Sequence, residues 1–253
     1  MLEKTRLENV LVLALDRPEV NALTSELLLA LEEALEGARE DPGVRALVLT
    51  GKGRAFSAGQ DLKEFEGKSP DYEGHLRKYN RVVEALVHLD KPTVAAIGGA
   101  AAGAGLSLAL ACDFRLMSEG ASLTTAFSRI GLVPDSGMTF FLPRLVGYAK
   151  ALELILLSPR LSAKEALELG LVHQVVAPER LMEEALALAQ TLAQGPTRAF
   201  ALAKKALLES HRLSLEEALE LEAVLQGEAG RSLDHEEGVR AFLEKRPSRF
   251  TGR

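Results

Sequence analysis

The 253-residue sequence has one cysteine, Cys112, and no tryptophan. A single cysteine can neither close an internal disulfide nor build a cysteine metal site, so a reducing, cytoplasmic setting is expected. Aromatic residues make up 5% of the chain and the net charge is −6. The base-stacking platforms and the Lys/Arg excess that hold nucleic acids are therefore missing, and nucleic acid is not an expected partner. No uncharged apolar run reaches the roughly 18 residues of a membrane span, and no apolar signal region follows the first residues Met1 to Arg6. No His-Glu-x-x-His motif, paired cysteine or acidic metal cluster occurs, so no metal is expected. Gly103-Ala104-Gly105 offers only two spaced glycines, short of a dinucleotide fingerprint, and no phosphate-binding Gly-Lys-Ser/Thr loop is present. Ser57 and Ser136 lie outside the Gly-x-Ser-x-Gly pattern of an activated serine. His75, His88, His173, His211 and His235 are scattered outside glycine-framed loops and read as surface or lightly buried side chains.

What is present is a hydrophobic content of 47%, enough for a full core. Residues 9–15 read as a strand, ended by Asp16-Arg17-Pro18-Glu19 because proline fixes its own φ and restricts its neighbour. Residues 24–40 read as a helix capped by Thr24 or Ser25, with Leu27, Leu28, Leu31, Ala34, Leu35 and Ala38 on one face. A strand follows at 44–50. This alternation predicts an α/β fold with parallel strands and crossover helices. It continues with a helix at 71–89, a strand at 93–97, a glycine-alanine loop at 98–105, a helix at 104–112 and a strand at 114–117. Beyond about residue 136 helices dominate, with one further strand at 173–176. The later helices include 214–228, where Ser214 and Glu217 form a capping box. This apolar layer must be covered, either by folding back on its own core or by packing on another subunit.

Two small-residue loops follow strands: Ala55 to Leu62 and Ile97 to Gly105. Both lie at carboxyl ends of strands, where open α/β sheets bind ligands. Small residues there either let turns pack closely or present bare backbone N–H groups to a ligand. The second loop runs into a helix N-terminus, which adds unpaired donors and partial positive charge. Two converging donors would make an oxyanion hole.

The motifs Phe56-Ser57-Ala58-Gly59-Gln60-Asp61-Leu62, Ala101 to Ala109 and Ala111-Cys112-Asp113 resemble the signature of the enoyl-CoA hydratase/isomerase (crotonase) superfamily. The likeness begins at Asp16 to Leu23, continues through Leu142 to Gly147 and Ser162 to Ala166, and ends at Glu237 to Arg246. The resemblance implies a crotonase (ClpP-like) fold of repeated ββα units, with a core over 1–195 and a C-terminal helical trimerisation region over 196–253. It also implies an acyl-CoA substrate that carries the coenzyme itself, so no separate cofactor, and a homo-oligomer, trimer or hexamer. The hole donors it implies are the N–H groups of Gln60 and Ala104. Val20, Ala22, Ala58, Asp61 and Leu62 would line the coenzyme A, with Phe242 and Lys245 closing over its phosphates from a neighbouring subunit. Asp61 and Asp113 read as structural, bracing a loop and a strand end.

Hydratases of the superfamily use two glutamates, and the matching positions here hold Ser107 and the stretch Thr125 to Ser128. One carboxylate remains nearby, Asp135. By its own chemistry Asp135 suits the N-cap of a helix over 136–146. By resemblance it is the catalytic base, beside an acyl pocket lined by Phe127, Leu132 and Phe140. Val133 to Gly137, Leu142-Pro143-Arg144, Ala58 to Leu62 and the tail from Glu228 are similar to one subgroup, the ring-1,2-epoxyphenylacetyl-CoA isomerases of phenylacetate degradation. That likeness implies conversion of the epoxide to the oxepin-ylidene acetyl-CoA, with possible movement of a 3-enoyl double bond to position 2. Hydration, another crotonase chemistry and non-catalytic acyl-CoA binding stay open as alternatives.

Overall fold

The computed structural model describes residues 1–66 and 71–253. Strand β1 (Leu2–Leu7) pairs antiparallel with β2 (Val10–Leu15) and forms one edge of a six-stranded sheet. The remaining strands run parallel in the order β2, β3 (Ala46–Gly51), β5 (Thr93–Ile97), β7 (Phe114–Ser118), β10 (Gln174–Val176). Between them the chain repeatedly leaves for a second sheet of very short strands, β4 (Ala55–Ser57), β6 (Ala100–Ala102), β8 (Ser122–Thr124) and β9 (Leu161–Ser162). Each excursion returns through a helix: α2 (Tyr72–Val87) after β4, α3 (Ala104–Ala111) after β6, and α4 (Met138–Val146) after β8. This is the expected ββα repeat. The glycine-alanine stretch 98–105, read as a loop, therefore contains β6, and β1, β4, β8 and β9 are additions to the sequence reading.

Period-two alternation splits the main sheet into two apolar faces. Leu13, Leu15, Leu47, Leu49, Ala95, Ile97 and Met117 face the larger core, which takes in α1 (Ser25–Glu40), α2, α3 and the second sheet. Val10, Val12, Ala46, Val48, Val94, Ala96 and Leu116 face α7 (Leu181–Ala193), packed against its Leu181, Ala185, Ala189 and Ala193. The six apolar residues expected on one face of α1 are all buried, and Thr24, rather than Ser25, caps the helix by accepting from the Leu27 N–H.

The helices α5 (Tyr148–Leu157) and α6 (Ala163–Glu168) precede β10. After α7 come α8 (Thr197–Ser210), α9 (Leu215–Ala229) and α10 (Leu233–Leu243). Helix α8 folds back on its own core: Arg45 donates to Thr197 Oγ1 at 3.0 Å, and Lys204 pairs with Asp113 at 2.7 Å. Asp113 also accepts from the N–H and hydroxyl of Thr93, so it ties the ends of β5 and β7 together as expected. Helix α9 buries only Leu225 and leaves Leu215, Leu219 and Val224 exposed. Its capping box of Ser214 and Glu217 is formed. Ser214→Ala should remove that cap and cost about 1 kcal/mol, measured as a lowered midpoint in thermal unfolding.

Candidate functional site

The loops after β4 and β6 meet. Segment 20–23 runs beside segment 58–61: Ala58 N–H donates to Val20 O at 2.9 Å, Leu23 N–H to Gly59 O at 2.7 Å, and Asp61 N–H to Leu23 O at 3.0 Å. Gly59 has φ +85, and a Cβ there would stand 2.8 Å from Ala102 O and 3.2 Å from Ala104 N. Only glycine permits both that conformation and that approach. From below, α3 presses on β4 so closely that a Cβ at Gly105 would lie 2.5 Å from Ser57 O. Every residue of α3 is buried, which suits a helix apolar all round.

This packing sets Gln60 and Ala104 on adjoining loops. Ala104 is the first residue of α3, where the N–H has no intrahelical acceptor and the helix end carries partial positive charge. The N–H groups of Gln60 and Ala104 have no acceptor among the described residues. Such a pair of free, preset donors is what a developing oxyanion requires.

Asp135 is joined to the same helix. Ser107, one turn beyond Ala104, donates through Oγ to the Asp135 carbonyl at 3.1 Å. The serine at the superfamily's first glutamate position thus anchors the backbone of the remaining carboxylate. Burial pushes the Asp135 carboxyl above its ordinary value, and the Ser136 hydroxyl, donating to Oδ1 at 2.8 Å, opposes that rise. A raised carboxyl is a better proton acceptor for carbon acids near neutral pH. Helix α4 starts at Met138 with Gly137 as N-cap, two residues later than expected, and no side chain caps it. The Asp135 carboxylate therefore serves no helix N–H there.

The apolar surroundings agree with expectation in part. Phe127 is buried, and its Cζ lies 3.9 Å from where a Cβ on Gly103 would be. Leu132 N–H donates to Phe127 O at 3.1 Å, holding the two together. Phe140 must be removed from the pocket. The buried face of α4 carries Met138 and Leu142, and Phe140, two residues from each and so about 200° round the helix, points away from it. Phe140 lines a groove with Val87, Leu207 and His211, and the Arg144 guanidinium lies 3.7 Å over its ring.

Val20, Ala22, Ala58, Asp61 and Leu62 come together along the paired segments 20–23 and 58–61. The Asp61 carboxylate pairs with Arg17 at 2.6 Å and accepts from Lys63 N–H at 3.1 Å, capping a short 3-10 turn at Leu62–Phe65. It braces the loop, as expected. Phe242 and Lys245 lie elsewhere, on and just after α10. Phe242 is 82% exposed beside a hollow lined by Pro196, Ala199 and Phe250.

Two contributors escaped the sequence reading. Asn21 is buried at φ 52; its Nδ2 donates to Lys52 O at 2.9 Å and Ala55 O at 2.8 Å, and its Oδ1 accepts from Arg17 N–H at 2.9 Å. It knots segment 17–21 onto β4. An asparagine after a proline turn is the available signal, since Asn tolerates left-handed φ and bonds to nearby backbone. His75, read as surface or lightly buried, is 7% exposed and packs its ring on Phe65 and Tyr79. Among the described residues no cluster of His, Cys, Asp or Glu could hold a metal ion, and no helix is long and apolar enough to cross a membrane.

Comparison with known proteins establishes the family. The family model described as enoyl-CoA hydratase/isomerase matches residues 5–253. The 1,2-epoxyphenylacetyl-CoA isomerase of Escherichia coli is 42% identical over 252 residues, 97% of this chain and 96% of that one. A Rhodobacter capsulatus protein named "Probable enoyl-CoA hydratase" is 46% identical over 248 residues, again 97% and 96%. The crystal structure of an enoyl-CoA hydratase from Bacillus anthracis superposes with a TM-score of 0.95 at 36% identity, covering 100% of this chain and 99% of that one. The chain therefore belongs to the enoyl-CoA hydratase/isomerase, or crotonase, family, whose fold it has, and is an enzyme acting on CoA thioesters.

Proposed function

We propose that the enzyme is an acyl-CoA isomerase that moves protons rather than adding water. The observation that carries this reading is the tie between Ser107 and Asp135: the superfamily's first hydratase glutamate is replaced by a serine that holds the one carboxylate proposed as base. The thioester oxygen sits on the N–H groups of Gln60 and Ala104. Asp135 takes the proton α to the thioester, negative charge collects on that oxygen, and the same carboxyl returns a proton to a carbon further along the acyl group. For a 3-enoyl thioester the product is the conjugated 2-enoyl thioester. For ring-1,2-epoxyphenylacetyl-CoA, the substrate suggested by the E. coli relative's name, proton removal at the α carbon and return to the opened ring give the oxepin-ylidene acetyl-CoA. Both conversions conserve atoms and electrons, so no cofactor beyond the substrate's own coenzyme A is invoked.

Relatives named as hydratases favour a second reading, hydration of the double bond. Incubation with a 3-enoyl-CoA separates the two by mass and absorbance. Isomerisation keeps the mass and produces the conjugated thioester; hydration adds a water. A water adduct as the sole product would overturn the isomerase reading, and binding without turnover would make the chain an acyl-CoA binder.

Coenzyme A is proposed to lie along Val20, Ala22, Ala58, Asp61 and Leu62, with Phe242 and Lys245 reaching its phosphates from a neighbouring subunit. The region 196–253 is proposed as the trimerisation region, because Leu219 and Val224 on α9 and Val239, Phe242 and Leu243 on α10 are exposed apolar side chains. Light scattering should give a trimer or hexamer of the 27.2 kDa chain. A monomer at micromolar concentration would count against both assignments.

A further inference from the structure

A residue other than glycine at positive φ is held there at a cost and calls for a reason. Ser136 is such a residue, at φ 52, directly before Gly137 at φ 82. The Asp135 carbonyl accepts from Met138 N–H at 2.9 Å, so residues 135–138 form a turn of the I′ kind, with both central residues left-handed. Glycine, asparagine and aspartate suit the first central position of such a turn, and serine is not among them. Gly137 has its own reason, since a Cβ there would stand 2.4 Å from the Phe141 ring. Ser136 is 2% exposed, and its hydroxyl makes a single bond among the described residues, 2.8 Å to Asp135 Oδ1. That bond completes the immobilisation of Asp135. The carbonyl is held twice, by the Met138 N–H of α4 and by the Ser107 hydroxyl of α3 at 3.1 Å. With the backbone fixed, the side-chain torsions are the freedom that remains, and Ser136 restrains them through Oδ1. Oδ2 accepts no hydrogen bond among the described residues, yet it is not one of the buried unpaired atoms, so it stays accessible.

We infer that Ser136 is a positioning residue for the reaction: its hydroxyl, kept in place by a left-handed backbone, ties Oδ1 and leaves Oδ2 as the one oxygen that takes the proton from carbon and gives it back. This rests on the reading of Asp135 as the base and adds the group that aims it. As the α C–H bond breaks, its electron pair passes toward the thioester oxygen and its proton to Oδ2. Ser136 goes on donating to Oδ1, so the new O–H keeps its direction until the proton moves to the further carbon. The groups packed around the carboxylate leave this bond as the one to test. Ser107 on α3 does not titrate. Burial first, then the charges of Glu64, Asp135 and Asp61, hold the Tyr79 hydroxyl of α2 far above its ordinary value, so it stays neutral. On Asp135 itself burial raises the carboxyl and the Ser136 hydroxyl opposes the rise, with no charged side chain among the causes.

The test is the pH profile of turnover on a 3-enoyl-CoA for the wild type, Ser136→Ala and Ser136→Gly, each as the full chain. Alanine keeps the strained backbone and glycine relieves it, so the two variants differ in stability but share the missing hydroxyl. Losing a donor to the ionised form raises the pKa of a carboxyl. In both variants the limb on which turnover rises with pH should therefore move up by about one pH unit, the scale of one hydrogen bond to a charged group. On the plateau above that limb kcat should fall about tenfold, because Oδ2 is no longer aimed, while KM stays close to the wild-type value. Either variant carries the test if the other does not fold. If Ser136 only closes the turn, the glycine variant gains stability and both profiles follow the wild type. An unmoved limb or an undiminished plateau in either folded variant would overturn the inference. Asp135→Asn tells the two failures apart. Full turnover there removes the base itself, whereas an inactive Asp135→Asn beside wild-type profiles for the Ser136 variants leaves the base standing and removes only its positioning residue.

Discussion

Asp135→Asn should lower turnover by about 10²-fold or more, within the roughly 10²–10⁴ range of a lost acid–base group, while the fold and much of the thioester affinity persist. Asparagine is nearly isosteric and can still accept from the Ser136 hydroxyl, and the Ser107 bond goes to the backbone carbonyl, which the substitution leaves in place. It cannot take a proton from carbon. The pH profile of the wild type should carry the same signature. Burial raises the Asp135 carboxyl, so the reactive carboxylate is lost at a higher pH than for a solvated aspartate. Turnover should rise with pH through that raised value and level off above it, and Asp135→Asn should abolish the limb. Stability follows the opposite sense. A carboxyl whose pKa is raised by burial favours the unfolded state once ionised, so Asp135→Asn should unfold no more easily than the wild type above the raised value. Wild-type turnover in the Asn variant would end the assignment of Asp135 as base.

The long elements were legible because they carry their own periodicity. The stripe Leu27, Leu28, Leu31, Ala34, Leu35, Ala38 could serve only as a helix face, and Thr93 to Ile97 is observed with the bounds expected for it. What escaped was structure made by partners. Strand β1 is mostly exposed and reads Glu3-Lys4-Thr5-Arg6 at its centre, so only its pairing with β2 marks it as a strand. Strands β4, β6 and β8 have three residues each, too few for an alternation to show, and Ala100-Ala101-Ala102 has no β preference of its own. The misplacement of Phe140 is an error of face: two residues from both Met138 and Leu142, it stands about half a turn round α4 from the buried side. The Ser107–Asp135 contact spans 28 positions, beyond any local pattern, and Asp135 was singled out by resemblance. The burial of His75 depends on Phe65 closing over it from another element, which no helical wheel of α2 reveals.

Gly59→Ala should force apart the two loops that carry the proposed hole donors. The φ of +85 alone makes an L side chain unfavourable by about 1–2 kcal/mol. The added Cβ would also meet Ala102 O at 2.8 Å and Ala104 N at 3.2 Å, so the two loops must part. Both contacts are backbone and cannot swing aside as a side-chain tip would. Parting moves the Ala104 N–H relative to that of Gln60, and a hole that loses one donor forfeits about 2.7–4 kcal/mol of transition-state stabilisation, or roughly 10²–10³ in turnover. Gly170→Ala is the control. Gly170 has φ +72 but no neighbour within 4 Å of its Cβ position and lies beyond α6, away from the hole. It should carry the conformational cost without the loss of turnover. The expected pattern is two destabilised proteins, with Gly59→Ala the more so, of which only Gly59→Ala is catalytically crippled at a temperature where both remain folded. If the two variants turn over alike, the donors of Gln60 and Ala104 are not what holds the enolate oxygen.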